Sequence, residues 1–272
     1  MSDKTSSAIV FSHIGNRTNH EDNFLLGDKY LAPVFQSQMS DKQYCCVEDT
    51  FSSNVFFCAI SDGMGGHNAG EVASRICVEK LAAVREKVYR SPSLKSAVAS
   101  LQLAITNINS TVCDLSRKES ALKGMGATLI IFVAYGPECA ILNIGDSRAY
   151  HYSAGRLVQI TKDNTEGQRM LALGLLTRKE LSNFPARKNL SRYIGYGQAG
   201  YVLQADEYYP SVDDGLIVLC SDGLSDFLSD TRICEILSTE ENLEYAGRQL
   251  IDEAVAHPNS DNTTVMLIPL RK

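Results

Sequence analysis

Two apolar runs in this chain break off at the same tripeptide. Val55 to Ile60 leads into Ser61-Asp62-Gly63, and Leu216 to Cys220 leads into Ser221-Asp222-Gly223. Each reads as a buried strand that delivers a carboxylate onto a tight glycine turn, where a strand end can aim it into a shared site. A third run, Cys139 to Ile144, ends on Gly145-Asp146-Ser147-Arg148, and Ser260-Asp261-Asn262 stands directly before the run Val265 to Ile268. Four aspartates are thereby expected at strand ends. Asp-Gly is also an ordinary turn dipeptide, so one of them alone signals no more than a turn. The repetition points to a metal. Carboxylates gathered within a few ångströms repel unless protonated or neutralised, and an all-oxygen donor set favours the hard cations Mg or Mn.

At 272 residues and 44% hydrophobic content, the chain can bury a large core. No Pro-, Ser- or Gln-rich linker interrupts it, which favours one domain over residues 1–272. A net charge of -6 argues against nucleic acid or an anionic membrane as the main partner. Of the eight cysteines, five fall inside apolar runs (Cys58, Cys77, Cys139, Cys220, Cys234) and two form the adjacent pair Cys45 and Cys46, without CxxC spacing. That pattern suits reduced, buried thiols rather than a disulfide scaffold or a zinc site. Met1 to Ala8 lacks the apolar core of a signal peptide, and no apolar run approaches the ~18 residues of a membrane span. A soluble, cytoplasmic protein is expected.

Periodicity sketches the elements. Strands are expected at Ser7 to Ser12, Asn54 to Ile60, Ala127 to Ala134, Cys139 to Ile144, Ala149 to Ser153 and Arg156 to Ile160, with Asp28 to Ser53 looped. Helices are expected at Ala69 to Arg90, ended by Pro92, and at Leu94 to Leu115, which together cover one face of a sheet. Asn164 to Ser191 reads as helical or irregular, and the chain finishes strand, helix (Thr231 to Ser238), helix (Asn242 to Ala256), strand. Hairpin-linked strands with helices in pairs imply an α+β sandwich rather than a doubly wound fold.

Six segments carry a resemblance across almost the whole chain. They are Gly15-Asn16-Arg17-Thr18-Asn19-His20-Glu21-Asp22, Ser61-Asp62-Gly63-Met64-Gly65-Gly66-His67, Gly124-Met125-Gly126-Ala127-Thr128, Gly145-Asp146-Ser147-Arg148-Ala149-Tyr150, Cys220-Ser221-Asp222-Gly223-Leu224 and Ser260-Asp261-Asn262-Thr263-Thr264. In order and spacing they resemble the metal-dependent (type 2C) serine/threonine protein phosphatases in their bacterial form. The resemblance implies a four-layer α-β-β-α sandwich, with two packed, mainly antiparallel sheets flanked by paired helices. It also implies two divalent metal ions, Mn or Mg, and a third, weaker one. On this resemblance Asp62 bridges the two ions, the Gly63 carbonyl binds one, and Asp222 and Asp261 hold the other. A water shared by two such ions ionises near neutral pH, and the hydroxide attacks phosphorus directly. Glu21 and Asp22 accept hydrogen bonds from metal-held waters, and Arg17 grips the phosphoryl oxygens.

Some positions leave alternatives open. Asp146 either ligates the third ion or caps a turn and pairs with Arg148. Met64 stands where many eukaryotic members carry a histidine that protonates the leaving group, so another group must do so. His20, where Asn is usual, either assists proton transfer or holds its loop, and Asn164 replaces a common His. His67 reads as a loop residue near the site. The segment of about 164–197 corresponds to the family's flap, and its Arg169, Arg178, Lys179, Arg187, Lys188 and Arg192 either attract phosphoproteins or form a solvated face. Expected partners are phosphorylated proteins, among them a cognate serine/threonine kinase and its substrates, with the enzyme a monomer. Two alternatives are a phosphatase of a partner-switching sigma-factor regulator and a catalytically inactive, phosphoprotein-binding relative.

Overall fold

The computed structural model describes residues 6–32, 45–51, 55–65, 69–197, 201–211, 214–240 and 242–270. His67 lies outside them. The strands are β1 (Ser6–His13), β2 (Asp22–Leu26), β3 (Cys45–Phe51), β4 (Val55–Met64), β5 (Gly126–Ala127), β6 (Leu129–Tyr135), β7 (Glu138–Ile144), β8 (Arg148–Ser153), β9 (Arg156–Gln159), β10 (Asp206–Tyr208), β11 (Gly215–Cys220) and β12 (Thr263–Leu270). The helices are α1 (Ala69–Tyr89), α2 (Leu94–Lys118), α3 (Glu166–Ala172), α4 (Arg178–Leu181), α5 (Asp222–Ser225), α6 (Asp230–Thr239) and α7 (Leu243–Val255).

The strands make two antiparallel sheets, ordered β3-β1-β12-β11-β8-β9 and β10-β7-β6-β4-β2, with β5 paired to the end of β4. The unbroken apolar runs of β4 and β11 follow from burial on both faces. In β4, Phe56, Cys58 and Ile60 face the other sheet, while Val55, Phe57 and Ala59 face α1 and α2. In β11, Ile217 and Leu219 enter the layer between the sheets, and Leu216, Val218 and Cys220 meet the layer under α6 and α7. Side chains alternate across a strand, so apolar residues at every position serve two cores.

Three apolar layers therefore separate four layers of structure. Ala73, Cys77 and Leu81 of α1 and Leu101, Ile105 and Ile108 of α2 fill the first. Ile233 and Ile236 of α6 and Leu250, Ile251 and Ala254 of α7 fill the third. Ser93 starts α2 by accepting a hydrogen bond from the Ser96 amide at 3.2 Å, directly after Pro92. The architecture is the expected α-β-β-α sandwich. Among the described residues no helix is long and apolar enough to cross a membrane.

Several local expectations are corrected. β4 does not stop on a turn at Ser61-Asp62-Gly63 but runs on to Met64, with Asp62 opposite Asp22 and Gly63 opposite Ala127. Ser221-Asp222-Gly223 is not a tight turn either: Ser221 precedes α5, and Asp222 is its first residue. Of these three Gly-bearing segments only Gly145, at φ +108°, takes a left-handed conformation. The stretch Asp28 to Ser53, expected as loop, contains β3, which extends the first sheet beside β1. The short strands β2 and β10 were not anticipated.

Candidate metal centre

Asp62 is pinned from both sides. The Thr128 amide donates to its carbonyl at 2.8 Å, and its own amide donates to Thr128 Oγ1 at 3.0 Å. Ser61 Oγ donates to the Thr128 carbonyl at 2.7 Å. Thr128 in turn bonds Ser147 at 2.8 Å, which ties the Asp62 strand to the loop carrying Asp146. Gly63 permits a close approach: a Cβ there would stand 2.1 Å from the Gly70 carbonyl oxygen, so the start of α1 lies directly on the strand. The Gly63 amide donates to the Glu21 carbonyl at 3.1 Å, fixing Glu21 beside it.

Asn262 holds the β1–β2 loop in place. Its Nδ2 donates to the carbonyls of Ile14 at 2.7 Å and Asn19 at 3.0 Å, while its Oδ1 accepts the Glu21 amide at 2.7 Å. The loop thus brings Arg17 to Asp261, where Nη2 donates to Oδ2 at 2.5 Å with the Arg17 side chain 57% exposed. Asp222 arrives from the other strand end. A Cβ on Gly223 would meet the Asn262 carbonyl at 2.0 Å, so the glycine lets α5 press against the segment bearing Asp261. The Asp62 and Asp222 side chains are neighbours, each bearing on the other's ionisation.

The Arg148 alternative for Asp146 is overturned. Arg148 is clamped to Asp163 instead, with Nη2 at 2.7 Å and Nε at 3.0 Å. Asp146 is left facing Asp222. Asn164 stitches this loop to the flap: its amide donates to the Gly145 carbonyl at 2.7 Å, and its side chain accepts the Gly145 amide at 3.1 Å and donates to Asp206 at 2.8 Å. Neither asparagine role was read from the sequence, although Asn262 lies within a motif and Asn164 stands out as the replacement of a common His.

The electrostatics follow from this crowding. Burial pushes Asp22 up to about 7 against the hydrogen bonds from Thr264 and Ser221, with Asp222 and Asp261 adding to the rise. Loss of water holds Asp62 well above the carboxylate range, reinforced by Asp22, Asp222 and Asp146. Asp146 is raised to about 7 by burial, then by Asp222 and Asp163; Asp222 is raised to about 6 by burial, then by Asp226 and Asp261. Glu21 is raised by desolvation and by Asp261, against the pull of Arg17. The paired cations among the described residues stand at the edges, Arg17 on Asp261, Lys188 on Asp226 and Arg148 on Asp163. Among the described residues no three Asp, Glu, His or Cys side chains form a ready-made ligand cage.

His20 does not reach the reacting side. It is buried, and burial followed by His13 lowers it to about 3, so it is neutral. The flap folds as α3 and α4, the latter opened by a Thr177–Glu180 capping box. Its cations divide. Arg169 pairs with Glu166, Lys188 with Asp226 and Arg192 with Asp206, whereas among the described residues Arg178, Lys179 and Arg187 form no ion pair. A cavity of 160 Å³ separates the flap from Asp146 and Asp222.

Residues 41–254 match the family model described as Protein phosphatase 2C. The chain belongs to the protein phosphatase 2C family. It is 36% identical over 220 residues to the serine/threonine protein phosphatase PstP of Mycobacterium tuberculosis, covering 81% of this chain and 41% of that protein. The chain thus spans less than half the length of PstP. It is 31% identical over 209 residues to the serine/threonine phosphatase stp of Listeria monocytogenes, covering 77% of this chain and 82% of that one. The crystal structure of M. tuberculosis PstP/Ppp superposes with a TM-score of 0.77 at 30% identity, over 98% of this chain and 100% of that chain. The PstP catalytic domain in complex with two manganese ions superposes at 0.75 with 28% identity, over 99% of this chain and 100% of that chain. Two antiparallel sheets with flanking helices are common to the phosphatase 2C family and this chain.

Proposed function

We propose that this chain is a phosphatase domain that hydrolyses phosphoserine and phosphothreonine monoesters on proteins with the help of two divalent cations, Mn or Mg. One observation carries the reading: Asp22, Asp62, Asp146 and Asp222 are crowded together with raised pKa values. The cluster fits hard cations, because its donors are all oxygens, it is anionic once ionised, and Asp22 Oδ1 is buried without a hydrogen-bond partner. Asp62, the Gly63 carbonyl, Asp222 and Asp261 would hold the pair, and Asp146 with Asp222 a third. Bound there, such ions lower the pKa of water towards neutrality and offset charge on the phosphoryl oxygens.

The remaining work falls to the chain. Glu21 and Asp22 accept hydrogen bonds from attacking-side water and so orient it. Arg17, exposed and pivoting on Asp261, presents a planar fork to two phosphoryl oxygens. Met64 has no proton to give and His20 is sealed away, so the leaving alkoxide takes its proton from water at the centre. The unpaired flap cations Arg178, Lys179 and Arg187 suit phosphorylated protein partners, a kinase and its substrates among them. The presence of Asp62, Asp222, Asp261 and Arg17 speaks for catalysis over a binding-only role, and nothing singles out a sigma-factor regulator. A cytoplasmic, monomeric enzyme is part of the same proposal.

The test is Mn-dependent release of phosphate from p-nitrophenyl phosphate and from a phosphothreonine peptide. Turnover with Mn and none after chelation is expected. Tight Mn binding without turnover on either substrate would leave a phosphoprotein-binding module in its place.

A further inference from the structure

Beneath the acidic cluster five buried side chains stand in one file of hydrogen bonds. His20 Nε2 lies 3.0 Å from Ser12 Oγ, and Ser12 Oγ lies 2.7 Å from Thr264 Oγ1. Thr264 Oγ1 and Ser221 Oγ each donate to Asp22 Oδ2 at 2.7 Å. The Ser221 oxygen also accepts the Thr264 amide at 3.0 Å. His20 is 1% exposed and the other four are fully enclosed, so the file is shut off from bulk solvent.

Donor counting fixes the direction of the file. A hydroxyl has one proton. With Asp22 ionised, Thr264 spends its proton on Asp22, so Ser12 must donate to Thr264. Ser12 then has only lone pairs to offer His20, and the Nε2 position must carry the imidazole proton. That leaves Nδ1 as a bare acceptor, and Nδ1 is the ring atom without a partner. A lowered His20 pKa, set by burial and His13, agrees with a neutral ring.

We infer that His20 is a positioning residue, whose Nε2–H sets the Ser12 and Thr264 hydroxyls so that both donors converge on Asp22 Oδ2 and Oδ1 stays free beside Asp62. Without that donor the Ser12–Thr264 pair has two orientations. In one of them Thr264 donates back to Ser12, and Asp22 loses a hydrogen bond and its fixed rotamer. The role differs from proton transfer, since the file is closed to solvent and every proton in it points at Asp22. It also differs from loop packing, because it depends on one N–H rather than on ring volume.

The kinetic part of the test rests on the phosphatase reading, and the spectroscopic part does not. Nitrogen-15 NMR of the histidine-labelled full chain should show His20 as the neutral Nε2–H tautomer well below the ordinary histidine range. An Nδ1–H tautomer or an imidazolium near neutral pH would overturn the inference. In the Mn-loaded enzyme, His20→Leu should lower kcat about 10-fold with KM within about twofold, the scale for residues that orient groups around a metal. His20→Gln, which returns an N–H at similar reach, should recover most of the loss. The double variant His20→Leu/Thr264→Val should be no worse than Thr264→Val, because the file is already broken. Equal damage from Leu and Gln, or fully additive losses, would reduce His20 to packing. If the wild-type chain proves inactive, the same cycle read by thermal unfolding decides: non-additive losses sustain the file and additive ones reject it.

Discussion

Asp22 and Asp62 are direct cross-strand partners in the β2–β4 pair, so two carboxyls of the acidic cluster face each other by sheet register alone. Antiparallel partners on one face keep their side chains within about 5.5 Å at Cβ. The backbone thus enforces a repulsion that proton uptake or a cation must relieve, which makes folding, protonation and metal binding one coupled equilibrium.

The metal-free protein should lose stability as pH rises. Asp22 and Asp146 at about 7 and Asp222 at about 6 stand above their ordinary value of 3.8, so between about 4 and 7 the folded state holds more protons than the unfolded one. With that sign, unfolding free energy falls with rising pH across this window. Chelated protein melted across it should show a declining midpoint, and saturating Mn should flatten the decline by binding the native state only. A midpoint that climbs from pH 4 to 7 in the chelated protein would contradict the raised values.

Asp222→Asn keeps the volume and removes one charge from the Asp62–Asp222 pair. Turnover should fall at least ~100-fold, since losing a cation that activates water costs several kcal/mol of transition-state stabilisation. The chelated variant should unfold no earlier than wild type, because a repulsive partner is gone. Turnover close to wild type would remove Asp222 from the ligand set.

Arg17→Ala separates phosphoryl binding from water activation. A loss of roughly 2–4 kcal/mol in kcat/KM is expected, with little recovery in Arg17→Lys, whose point charge lacks the fork. Metal occupancy should hold, since Arg17 occupies one oxygen of Asp261 as a competitor rather than a support. Calorimetry that finds weakened Mn binding in Arg17→Ala would make the arginine structural.

Arg148→Met should destabilise the fold by about 2–4 kcal/mol in denaturant titrations, because Asp163, whose side chain is 10% exposed, is left unpaired beside Asp146. Adding Asp163→Leu should return much of the loss. An unchanged midpoint for Arg148→Met would mean that solvent already screens the pair.

The elements themselves were legible in the chain. Apolar runs over 55–60 and 216–220 became β4 and β11, and helical spacing over 69–90 and 94–115 became α1 and α2, because strands buried on both faces and amphipathic helices must write their burial into local composition. The six motifs likewise carried the family and the acidic positions. What each motif does locally was not legible. Two identical Ser-Asp-Gly triplets became a continuing strand and a helix start, since β2 and β5 pair with the first and Asn262 receives Gly223 of the second. Tertiary structure alone gave Arg148 to Asp163 rather than Asp146, and joined Ser12, His20, Ser221 and Thr264 under Asp22. A hydrogen bond or ion pair is decided by which groups come within about 3 Å, and between residues 12 and 264 only the packing of β1 against β12 sets that distance.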